Sequence, residues 1–313
     1  MTTNQLALEA IESNDYERAL LLFQQAVRES RDVQSLHNLA FFYVHEGLRN
    51  DQGCWEAAED LAIELLKECI ELQPRSYFPY HLLGEAYLNL ERWEEALAAL
   101  ERGLRIYPAP AALHNAAVAA YRLGNVEVAV TYFGQSAAAG ENEYTKYEYA
   151  ACLVETKRYG EALAMIEKLM SETDDYIGDV EIAELYLEMG QYHSAVTFYE
   201  KGWREYAKDP RWVNRFIYSL IRTGQNQRAE EIAAEAVQEN RAWIADIQHD
   251  PEEDEFDEEN QASIRFALDD IENYQTIITR FTEGEYPVMD HRPSMLTACY
   301  WFGCKRHGHP EYV

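Results

Sequence analysis

The residues best suited to chemistry lie at the C-terminal end, where Cys299, Cys304, His307 and His309 fall within eleven residues as C-x4-C-x2-H-x-H. Thiolate and imidazole together suit a tetrahedral zinc site, although this spacing is not one of the common finger patterns and requires a tight wrap around Gly303 and Gly308. The plainer expectation is structural: Tyr300, Trp301 and Phe302 pack on the last helix, while Lys305, Arg306 and the histidines stay in water. No Gly-rich phosphate loop, nucleophile elbow or metalloprotease histidine pair occurs anywhere in the 313 residues. The expectation is therefore a protein that is not an enzyme, with zinc as the one cofactor left open and a zinc-dependent enzyme as the remotest alternative.

These ligand-type residues must be positioned by something, and the bulk composition says what kind of scaffold is available. The chain is 47% hydrophobic, enough for a sizeable core. No apolar run reaches the length of a membrane span, and the start carries no export pattern, so the expected location is cytoplasmic. Five cysteines, Cys54, Cys69, Cys152, Cys299 and Cys304, form an odd, sparse set that argues against a disulfide framework. A net charge of −29 would repel nucleic acid and anionic lipid, so a partner selected by charge should be a protein or peptide with a basic surface. Acidity of this kind also serves plain solubility. Residues 239–285 concentrate it, with 15 acidic residues against three arginines.

Self-similarity sets the architecture. The stretch 77–110 carries Tyr80, Leu83, Gly84, Tyr87, Ala96, Leu100, Gly103 and Pro108 in an order that recurs in part along the chain. Junctions of one kind appear as NDYERA ending at Ala19, ERWEEA at Ala96, GNVEVA at Ala129, KRYGEA at Ala162, GQYHSA at Ala195 and GQNQRA at Ala229. From Ala96 onward the steps are 33, 33, 33 and 34 residues. The second unit departs from the pattern, with HEGLRNDQGCW inserted before a helix carrying Ala62, Leu66 and Cys69, which lengthens its loop or helix. Apolar residues three and four apart, as at Leu83, Ala86, Tyr87 and Leu90, make stripes that no single helix pair can bury alone, so the units must stack.

The order aromatic, Leu, Gly, Tyr, Ala, large, small, Pro resembles the tetratricopeptide repeat. The resemblance covers about three quarters of the chain and implies an all-α fold: a right-handed superhelical α-solenoid of about seven helix pairs with a C-terminal helical cap. The domain organisation expected is a repeat solenoid over residues 1–238, an acidic loop with capping helices over 239–285, and an aromatic Cys/His-containing tail over 286–313. In the capping region Ile264, Leu268, Ile271, Tyr274, Ile278 and Phe281 form the covering stripe. The acid run DPEEDEFDEE ahead of it either starts that helix or meets a basic partner.

The resemblance also implies which side chains face the concave groove. In the second unit these are His37, Asn38 and Phe41; in the third, Phe78, His81 and Glu85; in the fourth, His114, Asn115, Val118 and Arg122. The fifth and sixth units present Tyr144, Tyr147, Glu148, Glu155, Glu181, Glu184 and Glu188, and the seventh presents Arg211, Asn214, Arg215 and Arg222, giving a groove polarised in charge. An asparagine amide offers one donor and one acceptor, so Asn38 and Asn115, in the repeated words LHNLA and LHNAA, suit rungs that grip an extended peptide backbone. The alternative is a merely solvated polar wall. The Lys and Arg clamp that co-chaperone members use for a C-terminal carboxylate is missing from the first three units. The implied function is protein–protein interaction through the groove. An inhibitor or immunity protein against a basic toxin stands ahead of a signalling-peptide receptor or a general assembly scaffold. The first repeat begins within a few residues of Met1, which counts against the receptor.

Overall fold

The computed structural model describes residues 1–49, 54–140, 142–171, 177–248, 258–289 and 291–312. Fifteen helices occur among them. They fall into seven consecutive pairs: α1 (Thr3–Glu12) and α2 (Tyr16–Glu29), α3 (Val33–His45) and α4 (Glu59–Glu71), α5 (Phe78–Asn89) and α6 (Trp93–Leu104), α7 (Pro110–Arg122) and α8 (Val126–Ala139), α9 (Glu143–Glu155) and α10 (Tyr159–Ser171), α11 (Asp179–Glu188) and α12 (Tyr192–Gly202), α13 (Pro210–Arg222) and α14 (Asn226–Gln248). A last helix, α15 (Glu258–Thr282), packs on α13 and α14. The fold is the all-α solenoid implied by the repeat.

The recurring junctions have a common cause. Their first residues, Asn14, Glu91, Gly124, Lys157, Gly190 and Gly224, all adopt positive φ, between 55° and 77°. In each case the next amide reaches back to the last turn of the preceding helix, as in Arg92 N to Tyr87 O at 2.9 Å and Gln225 N to Leu220 O at 2.8 Å. This left-handed cap stops one helix and aims the next antiparallel to it. Five residues later stands the alanine that ends each junction. Ala19, Ala96, Ala129, Ala162, Ala195 and Ala229 are all fully buried, because only a small side chain lets the two axes of a pair come close. Gly84 serves the same approach from the other side: a Cβ there would meet Leu100, with Cδ2 only 2.7 Å away.

The insertion in the second unit is a short antiparallel hairpin rather than a longer helix. Strand β1 (Leu48–Arg49) pairs with β2 (Trp55–Glu56), Leu48 opposite Glu56. Gly47, at φ +80°, is needed where any Cβ would collide with the Glu56 carbonyl.

By contacts the chain divides into two compact units. The first comprises Met1–Cys152 together with the segment that begins at Arg292; the second runs from Leu153 to His291. In the second unit α15 buries Ala267, Ile271, Tyr274, Ile277 and Phe281. The expected capping stripe thus holds at Ile271, Tyr274 and Phe281, but Leu268 is exposed and Ile278 only packs at the margin. Ala267 and Ile277 take those places, a rotation of about one residue around the helix. Most of the acid run 250–259 lies outside the described residues.

Candidate functional site

In the first unit α3, α5 and α7 are neighbours, so equivalent positions of consecutive first helices form one wall. His37, Asn38, Phe41, Phe78, His81, Glu85, His114 and Asn115 all point from it and are all buried. What buries them is the chain's own C-terminal segment. The Asn38 amide donates from Nδ2 to Phe302 O at 3.1 Å, and Phe302 N donates back to Oδ1 at 3.1 Å. Asn115 does the same on α7, two first helices along, Nδ2 to Leu296 O at 2.8 Å and Leu296 N to Oδ1 at 2.8 Å. The preceding histidine of each pair donates from Nε2 to a carbonyl two residues earlier in the tail, His37 to Tyr300 O at 2.8 Å and His114 to Ser294 O at 2.7 Å.

The two His-Asn words thus act as one device used twice. Phe302 lies six residues beyond Leu296 in the tail. An extended chain covers that interval in about 20 Å, which matches two steps between packed helices at about 8–10 Å each. The middle helix α5 has His81 followed by Leu82, and so lacks the amide. Its imidazole nitrogens are buried without a hydrogen-bond partner, and the ring lies 5.8 Å from that of Tyr300. Here the contact is aromatic: Phe78 meets Tyr300 at 5.4 Å and Phe302 at 5.0 Å. Trp301 stacks on Phe23 at 4.9 Å and tilts against Phe41 at 4.4 Å. Burying Tyr300, Trp301 and Phe302 contributes about 1.5–3 kcal/mol each relative to leaving them in water. The expectation that these aromatics cover the last helix is therefore corrected; they cover the wall of the first unit.

Removal from water also fixes protonation. Burial pushes His37 down to about 3 against the pull of the Tyr300 carbonyl, pushes His81 down to about 3, and lowers His114. All three are neutral imidazoles near pH 7. Glu85, wholly buried beside His45 and Asn115, is raised by burial although His45 draws it down. Further down the tail, Tyr312 N donates to Gln34 Oε1 at 3.0 Å and Arg75 N to the Tyr312 hydroxyl at 2.9 Å. Gln34 was absent from the sequence expectation, though it stands one turn before His37 on the same helix.

The remaining groove candidates behave differently. Arg122 turns its guanidinium over the Trp93 ring, 5.2 Å from the centroid, and does not reach the tail. Tyr144 is exposed, whereas Tyr147 is half-buried and Glu148 buried.

In the second unit Arg215 is buried and ion-paired to both Glu184 and Glu188, the latter at 2.6 Å, and donates to Pro287 O at 2.7 Å. Tyr199 donates to Glu184 Oε1 at 2.6 Å. Burial pushes the Glu184 carboxyl up to about 7 even with Arg215 beside it. The acidic and basic rungs expected to polarise the groove are thus joined to each other, which corrects that expectation for Glu184, Glu188 and Arg215. Arg211 is tied to Asp209, Arg222 to Tyr218 at 2.8 Å, and Asn214 to Asn273 at 2.9 Å. Glu181 is half-buried and raised by burial.

At the end of the tail the wrap required for the Cys/His cluster is present. Gly303 and Gly308 adopt φ of +84° and +67°, Gly303 N donates to Pro310 O at 3.0 Å and His309 N to Cys304 O at 2.9 Å. Ligand atoms of Cys299, Cys304 and His307 lie within 4.8 Å of one another. His309 Nδ1 is 3.1 Å from Trp301 O and 4.0 Å from Cys299 Sγ. Burial pushes the Cys299 thiol up to about 11.

Comparison with known proteins agrees with this architecture. Family models described as tetratricopeptide repeat match residues 58–121 and 180–202. Human tetratricopeptide repeat protein 21B is 27% identical over 201 residues, 60% of this chain, and the match spans 14% of that protein's length. The solved structure of Pseudomonas aeruginosa pilF has a TM-score of 0.53 at 16% identity, covering 68% of this chain and 93% of that one. MamA from Desulfovibrio magneticus superposes at 0.47 and 14% identity over 54% of this chain and 92% of its own. No helix among the described residues is long and apolar enough to cross a membrane. Helix pairs, left-handed junctions and buried small residues recur across the segments that the family models match, so residues 58–121 and 180–202 are similar to the tetratricopeptide repeat in both sequence and structure.

Proposed function

We propose that this is a non-enzymatic protein-binding module whose first unit holds an extended peptide by its backbone, and that the tail from residue 292 occupies that site until a partner segment replaces it. The observation that carries this reading is the pair of reciprocal amide grips, Asn38 on Phe302 and Asn115 on Leu296. Such grips read main chain and leave specificity to the aromatic pockets between them. A partner segment needs large apolar side chains at the places of Tyr300, Trp301 and Phe302.

The net charge of −29 favours a basic partner, which supports an inhibitor or immunity role against a basic protein over a receptor or scaffold role. The odd, sparse set of five cysteines in 313 residues favours a reducing, cytoplasmic location.

The test uses a labelled peptide of residues 292–312 and fluorescence polarisation. A chain ending at His291 should bind it, the full chain should bind it far more weakly, and Asn38→Ala with Asn115→Ala should weaken the shortened chain by about tenfold or more. A well-folded shortened chain that ignores the peptide would sink the proposal.

A further inference from the structure

We infer that Cys299, Cys304 and His307 form a zinc(II) site with three protein ligands and a fourth position supplied by solvent. The three ligand atoms already lie within 4.8 Å of one another. Cys304 Sγ and His307 Nδ1 are 3.4 Å apart. Tetrahedral bonding at zinc–sulfur and zinc–nitrogen lengths of about 2.3 and 2.0 Å places such atoms about 3.5–3.8 Å apart. Small side-chain rotations therefore suffice.

The backbone is arranged for this in advance. The left-handed Gly303 and Gly308 fold the segment back on itself, and the bonds Gly303 N to Pro310 O and His309 N to Cys304 O close the loop that carries Cys304 and His307 and brings them toward Cys299. Two thiolates and an imidazole form a soft donor set that selects zinc over magnesium or calcium. His309 is engaged elsewhere, since its Nδ1 faces the Trp301 carbonyl. The ligands line a cavity of about 530 Å³ whose other walls include Tyr16, Phe41 and His45, so a water molecule has access to the fourth position. The site stands independently of the reading of the groove. One consequence rests on that reading: an ion here would stiffen the loop beside Tyr300, Trp301 and Phe302 and hold the tail in place against a competing segment.

The test is titration of the full chain, stripped of metal and kept under a phosphine reductant, with cobalt(II) as a spectroscopic stand-in. The expected result is a thiolate-to-cobalt charge-transfer band with tetrahedral ligand-field absorption, saturating at one ion per chain and bleached by zinc(II). Cys299→Ser and Cys304→Ser should each lower the band, their combination should abolish it, and His307→Ala should weaken binding by about tenfold or more. Cys54→Ser and Cys69→Ser should change nothing. Because none of the ligands lies in a helix, circular dichroism should show the variants fully helical. An absent band, a six-coordinate spectrum, or a band that survives the double serine variant would overturn the site. Loss of the tetrahedral spectrum in His309→Ala would overturn the solvent-held fourth position.

Discussion

The side-chain amide of Asn38 and the peptide unit of Phe302, 264 residues apart in sequence, exchange two hydrogen bonds of 3.1 Å in a buried setting. Asn38→Ala leaves a main-chain donor and acceptor without partners, a cost of about 1–3 kcal/mol. Hydrogen exchange should show the Phe302 amide opening about tenfold or more faster, with the Leu296 amide less affected. Asn38→Asp is the sharper variant. It keeps an acceptor for Phe302 N but sets a carboxylate against the Phe302 carbonyl, so it should loosen the tail as well. Unchanged exchange at Phe302 in both variants would show that the aromatic contacts alone hold the tail.

The three buried histidines predict an acid-sensitive tail. His37 and His81 are held neutral down to about 3, and His114 is lowered too, whereas in the unfolded chain each protonates near its ordinary value of about 6.5. The unfolded state therefore binds more protons below pH 6.5. Stability present above that pH is lost as pH falls toward 3, at up to about 1.4 kcal/mol per pH unit for each histidine. Glu85 works the other way. Its raised native value means that it favours the folded state at low pH and ceases to do so as pH rises through that value, offsetting part of the histidine slope. Exchange at the Leu296 and Phe302 amides should thus accelerate between pH 6.5 and 5 once the intrinsic rate is divided out. Local exchange is the right readout because the net charge of −29 also diminishes with acid and affects the whole chain. A protection factor that stays constant over this interval would refute the argument.

Much of this was legible in residue order. The alanines at the ends of the six junctions reported the helix pairs because close approach admits no larger side chain, and the words LHNLA and LHNAA marked the amide rungs. The occupant of the groove was not legible. Tyr300, Trp301 and Phe302 announce burial but carry no address, since an extended segment has neither helical period nor strand partner to show where it docks. Charge misled in a related way. Glu184 and Arg215 read as opposite ends of a polarised wall, yet α11 and α13 are neighbours and their long side chains meet. The one-residue rotation of α15 has the same origin: Leu268 and Ala267 fit the periodic stripe almost equally, and only the packed surface of α13 and α14 chooses between them.

The glycine at the α5–α6 approach and an open glycine on α10 should respond to alanine with opposite signs. Replacing glycine by alanine within a helix gains up to about 1 kcal/mol. At Gly160, where no atom lies within 4 Å of an added Cβ, only that gain operates. At Gly84 the new methyl meets the fully buried Leu100, and overpacking costs about 1–3 kcal/mol, which outweighs the gain. Chemical denaturation should therefore rank Gly160→Ala at or above the parent and Gly84→Ala below it. The reverse order would mean that α5 and α6 can separate at little cost, contrary to the packing described.

Arg215 should be among the most sensitive positions of the second unit. Its buried guanidinium is paired with the buried Glu184 and the half-buried Glu188 and donates to the Pro287 carbonyl. Arg215→Met preserves much of the side-chain length but leaves Glu184 buried opposite no cation, and breaking a buried pair from one side costs about 3–5 kcal/mol. Glu184→Gln should cost less, because an amide keeps a hydrogen-bond partner for Tyr199 without stranding a charge. The pH dependence separates loss of charge balance from loss of packing. Burial already pushes Glu184 up to about 7 with Arg215 present, and without the arginine its carboxyl takes a proton more readily still. The deficit of Arg215→Met relative to the parent should therefore shrink between pH 7.5 and 5, measured as the difference in unfolding free energy of the two proteins. A deficit that holds constant across that range would assign the loss to packing around the guanidinium and remove the electrostatic account of the cluster.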